Sequence, residues 1–196
     1  AALALAAAGT AAVAIRKRFR DAEEAPPALM AHRSITKGEL LPDDVVSYLG
    51  SDYLIEGVAT FHEANRPVVV LAWTTEGGES PKHIMIDLKE QPRSVIAEGR
   101  DPESLGGTLP QWVPDGDLEM RLARRGAVRV KCDGECPIPS DCACELGIYR
   151  GPGDRKAAVF FAEDEAIFVV GEGVTEEGLT LLPGGSATTK SSSNDR

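Results

Sequence analysis

Across residues 29–183 the apolar side chains recur at every second position, in short runs closed by glycine, proline or acidic residues. Period two is the spacing at which an extended chain sends side chains to one face, whereas a core-facing helix needs spacings of three and four. A chain written this way is confined to short, half-buried strands. Tyr53, Ile55, Val58, Ala59 and Phe61 make one run, and Gly57 inside it marks a bulge that carries the later residues to the other face. Residues 67–73 make a second run. Residues 75–79, Thr-Glu-Gly-Gly-Glu, then read as a hairpin turn leading into alternating Ile84, Ile86 and Leu88. The pattern predicts an antiparallel meander.

Residues 98–117 hold Gly99, Pro102, Gly106, Gly107, Pro110, Pro114 and Gly116, the composition of a long connection, with Trp112 expected to pin it to the core. A second set of strands follows. Leu118, Met120 and Leu122 alternate with their neighbours, Val128 and Val130 alternate with Arg129 and Lys131, and Ala143, Leu146 and Ile148 continue the pattern. Gly151-Pro152-Gly153-Asp154 is a turn signal before strands over 157–162 and 166–170. The fold expected is mainly β, an antiparallel meander forming a small barrel or sandwich over residues 29–185 and preceded by an N-terminal apolar helix. Its strand sets, 35–96 and 118–182, are candidate halves of a duplicated fold divided near 98–117. Residues 186–196 are polar, with no core-forming run, and are expected to be a disordered tail.

Residues 1–15 carry no charge and are mostly alanine, with Leu3, Leu5, Val13 and Ile15, so a helix here is apolar all round. Such a helix rises about 22 Å, short of the roughly 30 Å hydrocarbon core, so a few further apolar residues upstream would complete a span. Arg16, Lys17, Arg18 and Arg20 follow it directly, as a basic membrane flank does. The expectation is a single-pass anchor over 1–20 and a Pro-containing acidic linker over 21–28. With those basic residues on the inner side, the domain would be cytoplasmic; an exported domain is the alternative if more basic residues lie upstream. A signal-peptide h-region and an alanine-rich helix packed on protein compete with the anchor, although a signal peptide carries its charges before the apolar run.

The stretch 41–61 contains Asp43 and Val45 in a D-x-V turn, then Gly50, Tyr53, Glu56 and Gly57 in a G-x-x-Y-x-x-E-G pattern. It resembles the opening of a bacterial family of domains of unknown function, the one numbered 4178, in which Trp73 would supply the tryptophan of the next strand. Residues 146–159, with Gly147, Tyr149, Gly151, Gly153 and Asp154, are similar to that family's second half. The resemblance reaches over 35–183 and implies a compact β fold without assigned chemistry, in a family often encoded near small membrane proteins and spermidine-synthase-like proteins. It transfers no functional residue, and the cysteines of this chain are not part of the pattern. Residues 31–45, behind an apolar segment, also resemble the start of SAF domains of pilus-assembly proteins, which continue differently.

Cys132, Cys136, Cys142 and Cys144 are the chain's four cysteines, gathered as C-x3-C-x5-C-x-C between two expected strands. Four thiolates can hold zinc tetrahedrally and clip a loop that lacks a core of its own, though C-x2-C pairs are the commoner zinc spacing. In an oxidising compartment the same residues would form two disulfides; free thiols in an ordinary loop are the third reading. Lys131 favours a reactive thiolate, but Asp133, Glu135, Asp141 and Glu145 oppose one. His32, His62 and His83 are far apart and fit no metal or triad spacing, and no serine-hydrolase, phosphate-loop or dinucleotide motif occurs. Adjacent acidic pairs, Glu23-Glu24, Asp43-Asp44 and Glu176-Glu177, are expected on solvated faces. A formal net charge of -10 argues against nucleic acid as a partner unless a basic face is segregated from the rest. The function expected is a membrane-tethered, non-catalytic accessory or protein-interaction domain. The alternatives are a zinc-binding or disulfide-stapled domain of the cell envelope and a SAF-like assembly protein.

Overall fold

The computed structural model describes residues 33–75, 82–162 and 165–184. The expected apolar helix and linker, the polar tail, His32, Glu23-Glu24 and most of the 75–79 turn lie outside the described residues. Among the described residues there are eleven strands: β1 (Val45–Tyr48), β2 (Ser51–Glu63), β3 (Arg66–Thr75), β4 (Lys82–Asp87), β5 (Ser94–Arg100), β6 (Trp112–Asp115), β7 (Leu118–Gly134), β8 (Ala143–Arg150), β9 (Arg155–Ala162), β10 (Glu165–Val174) and β11 (Leu179–Leu182). All pair antiparallel in the order β11-β1-β2-β3-β4-β5-β10-β9-β8-β7-β6, and β2 also pairs with β7. That last pairing closes β2, β3, β4, β5, β10, β9, β8 and β7 into an eight-stranded barrel, the barrel alternative of the expected fold.

Two long strands make the closure. The N-terminal part of β2 pairs with β1, and the N-terminal part of β7 pairs with β6. Their later parts pair with each other, Gly57 opposite Gly134 through His62 opposite Arg129. Each has a register shift before this seam, between Ile55 and Gly57 in β2 and between Leu122 and Arg124 in β7. An extra residue there turns the strand between its outer partner and the barrel wall. Gly57 is required at the seam because a Cβ on it would meet the backbone of Glu135.

Alternate residues of every barrel strand fill the interior, among them Phe61, Leu71, Met85, Val95, Val130, Ile148, Phe160 and Val169. Phe61 stacks on Phe160 with ring centroids 4.0 Å apart, so opposite walls meet in the middle. The outer faces are covered as well. Ile35, Leu40, Val46, Tyr53 and Leu179 pack over Val70, Ala72, Ile84 and Ile86, while Leu105, Leu109, Val113 and Met120 pack over Ala157, Val159, Phe168 and Val170.

Two expectations need correction. Trp112 does not pin the 101–111 connection to the core; Val113 and Asp115 take the inward positions of β6, which leaves Trp112 about half exposed. Leu105 and Leu109 do the pinning. Asp44 is buried, not solvated, because it ties three segments together: Arg33 Nη1 donates to it at 2.7 Å, and the backbone N–H groups of Leu41 and Gly184 donate at 2.8 and 2.9 Å.

Candidate functional site

Strands β3, β5, β7 and β9 run toward one end of the barrel, and the cysteines collect there. Cys132 lies near the end of β7, Cys136 in the turn that follows, Cys142 just before β8 and Cys144 at its start. Cys144 belongs to the interior core, and the other three pack against it half-buried. The hairpin register explains the gathering. Val128 faces Cys144, the Val130 N–H donates to the Cys142 carbonyl at 3.1 Å, and the Cys132 N–H donates to Ser140 Oγ at 3.1 Å. Period two then sends the side chains of 128, 130, 132, 142 and 144 to the same side, into the barrel mouth.

Cys142 Sγ and Cys144 Sγ are 3.5 Å apart. Cys132 Sγ also donates to the Ile138 carbonyl at 3.2 Å, and Cys136 Sγ to the Asp133 carbonyl at 3.7 Å. Burial, reinforced by the Cys136 and Cys142 side chains respectively, pushes the Cys132 and Cys144 thiols up to about 12. Both are therefore neutral thiols as they stand, a poor state for nucleophilic chemistry. Among the described residues, no three His, Cys, Asp or Glu side chains are placed as a metal cage.

His83 and Trp73 reach the same end from β4 and β3, edge to face at 6.2 Å between ring centroids. Burial lowers the His83 pKa, and its buried Nδ1 has no hydrogen-bond partner among the described residues. The imidazole is neutral at physiological pH.

The opposite end is charged. Asp87, fully buried, receives Arg124 Nη2 at 3.1 Å and Lys156 Nζ at 3.2 Å. Lys156 also donates to the carbonyls of Glu90 and Pro92 at 3.1 and 2.7 Å, so it closes the turn between β4 and β5. Its pKa is lowered by burial, against the opposing pull of Asp87. Arg124 Nη1, buried in the same cluster, has no hydrogen-bond partner among the described residues.

A second surface feature has no counterpart in the expectations. Between Glu119 and Asp133, the outward positions of β7 carry Arg121, Arg125, Arg129 and Lys131, all exposed, with Ala123 and Ala127 among them. Arg121 lies over the exposed Trp112 ring, 5.7 Å from its centroid, with Leu118 exposed at the same hairpin. The alternation of basic residues with Val128 and Val130 carries this signal in the sequence. It becomes a stripe only when 118–134 is a single strand.

No helix among the described residues is long and apolar enough to cross a membrane. Searches against protein-family models, curated proteins and solved structures match nothing.

Proposed function

We propose that the chain is a non-catalytic accessory module, held at a membrane by its apolar N-terminal segment, that binds an acidic surface of a protein partner along the outer face of β7. The reading is carried by one observation, the row Arg121, Arg125, Arg129 and Lys131 on a chain whose formal net charge is -10. From Arg121 to Lys131 a strand advances about 34 Å, enough to face an extended acidic segment. Arg125 is held by Glu145 (Nε to Oε1, 2.7 Å) and Arg129 by the Asp141 carbonyl (3.0 Å), so two of the four are pre-oriented. Trp112 and Arg121 are residue types that dominate binding energy at interfaces, and they sit at one end of the row. The neighbouring edge strand β6 carries Pro114, which lacks an N–H and blunts the edge against simple strand addition. Side-chain recognition is thus the mode proposed.

A poly-glutamate peptide is the first probe. The full chain should bind it with an affinity that falls as salt rises, and Arg121→Glu with Arg129→Glu should abolish binding without changing the thermal transition. No binding to poly-glutamate would overturn the reading. So would binding to phosphatidylserine vesicles or duplex DNA in preference to the peptide.

A further inference from the structure

We propose that Cys132, Cys136, Cys142 and Cys144 are the ligands of one zinc-class cation, a soft divalent ion held tetrahedrally by four sulfurs. The inference stands on the thiol end of the barrel and is independent of the β7 face.

Sulfur donors select zinc over the hard cations, and four of them close a structural site. A tetrahedron with Zn–S bonds of about 2.3 Å has S···S edges near 3.8 Å. Cys142 and Cys144 already stand 3.5 Å apart. All four belong to one hairpin, and their side chains pack on the same interior core. No three of these side chains stand as a cage, so binding requires Cys132 and Cys136 to turn away from the carbonyls of Ile138 and Asp133, to which their S–H groups now donate. Those S–H protons are among the ones a metal releases to solvent on binding.

Disulfides fit the backbone less well. Cys142 and Cys144 are two positions apart along extended chain, where Cα atoms lie about 6.7 Å apart, at the upper limit for a disulfide of about 6.8 Å. Cys132 faces Ser140 across the hairpin, not a cysteine. The connection from Glu135 to Asp141 contributes one buried apolar side chain, Ile138, to the core. A metal clip would supply the fixation that this turn lacks. Asp133, Glu135, Asp141 and Glu145 around it attract a dication while disfavouring free thiolates.

The test is a Co(II) titration of the full chain, purified reduced and stripped of metal. One equivalent should bind with the visible d–d bands and sulfur-to-metal charge transfer of tetrahedral thiolate cobalt, and one equivalent of Zn(II) should displace it. Cys136→Ser changes a turn residue outside the strands. It should keep the β circular-dichroism spectrum and weaken Co(II) binding by more than about 100-fold, since loss of an outer-shell partner alone costs up to that much. Four free thiols with no cobalt bands would overturn the proposal. Two disulfides that, once reduced, take up no metal would do the same, as would unchanged binding in Cys136→Ser.

Discussion

Asp87 is the residue on which the charged end depends. It stands between Lys156 and Arg124, which come from β9 and β7, so one carboxylate on β4 pairs with two cations brought from across the barrel. Removing one partner of a buried ion pair leaves an uncompensated charge and costs roughly 3–5 kcal/mol. Asp87→Asn should destabilise the fold by that amount in urea unfolding. Adding Lys156→Met should cost much less than the sum of the two single changes, because the stranded ammonium goes with it. At the other end, burial depresses the His83 pKa below its unfolded value near 6.5. Below that value the unfolded chain takes up a proton that the folded chain refuses, so His83 stabilises fully above about pH 6.5 and progressively less as pH falls toward its folded pKa. The stability of the wild type minus that of His83→Phe should therefore decline on acidification through this window. A difference that is flat with pH would show that His83 does not titrate as its burial demands.

At the scale of elements, the β2–β7 seam joins the barrel to the cysteine hairpin. Gly57 and Gly134 face one another there, and a Cβ on Gly57 would meet the carbonyl and amide of Glu135, backbone atoms that cannot swing aside as a flexible side chain does. Gly57→Ala should cost about 1–3 kcal/mol and raise amide exchange in residues 133–136 more than in β9. Uniform exchange across both segments would contradict this view of the seam. Gly57 was readable in the sequence as a bulge because it interrupts a period-two run, and the strands around Phe61, Ile84, Ile86 and Phe160 followed from the same alternation. Trp112 was not readable. Its run is four residues long, and which alternate set points inward depends on Met120 across the hairpin, which no local pattern specifies. The basic stripe was hidden for a related reason: Arg124 and Arg125 are adjacent, and only the register shift after Leu122 determines that Arg124 turns inward to Asp87 while Arg125 stays outside.

Across the whole molecule, what the sequence left open was closure. A meander leaves two edges, and the pairing that removes them joins residues about seventy positions apart, such as Phe61 with Val130, where no short-range signal operates. The cysteines share that limit: their nearness within the hairpin was legible from spacing, but their place at the barrel mouth depended on it. The topology also bears on whether either half can stand alone. Strands β1–β5 and β6–β10 are each a consecutive meander, and they meet along two seams, β2 with β7 and β5 with β10. The interior core draws on both: Phe61, Leu71, Met85 and Val95 come from one meander, Val130, Ile148, Phe160 and Val169 from the other. A half taken alone would expose that apolar face and two unpaired strand edges, which favour association over independent folding. Gly106 and Gly107, exposed and in left-handed turn conformation, mark a place to cut the chain without breaking a strand. Fragments 1–106 and 107–196 should each lack a cooperative unfolding transition and regain one when mixed at equal concentration. A cooperative transition in either fragment by itself would show that the meander is a folding unit and that the barrel is two domains docked together.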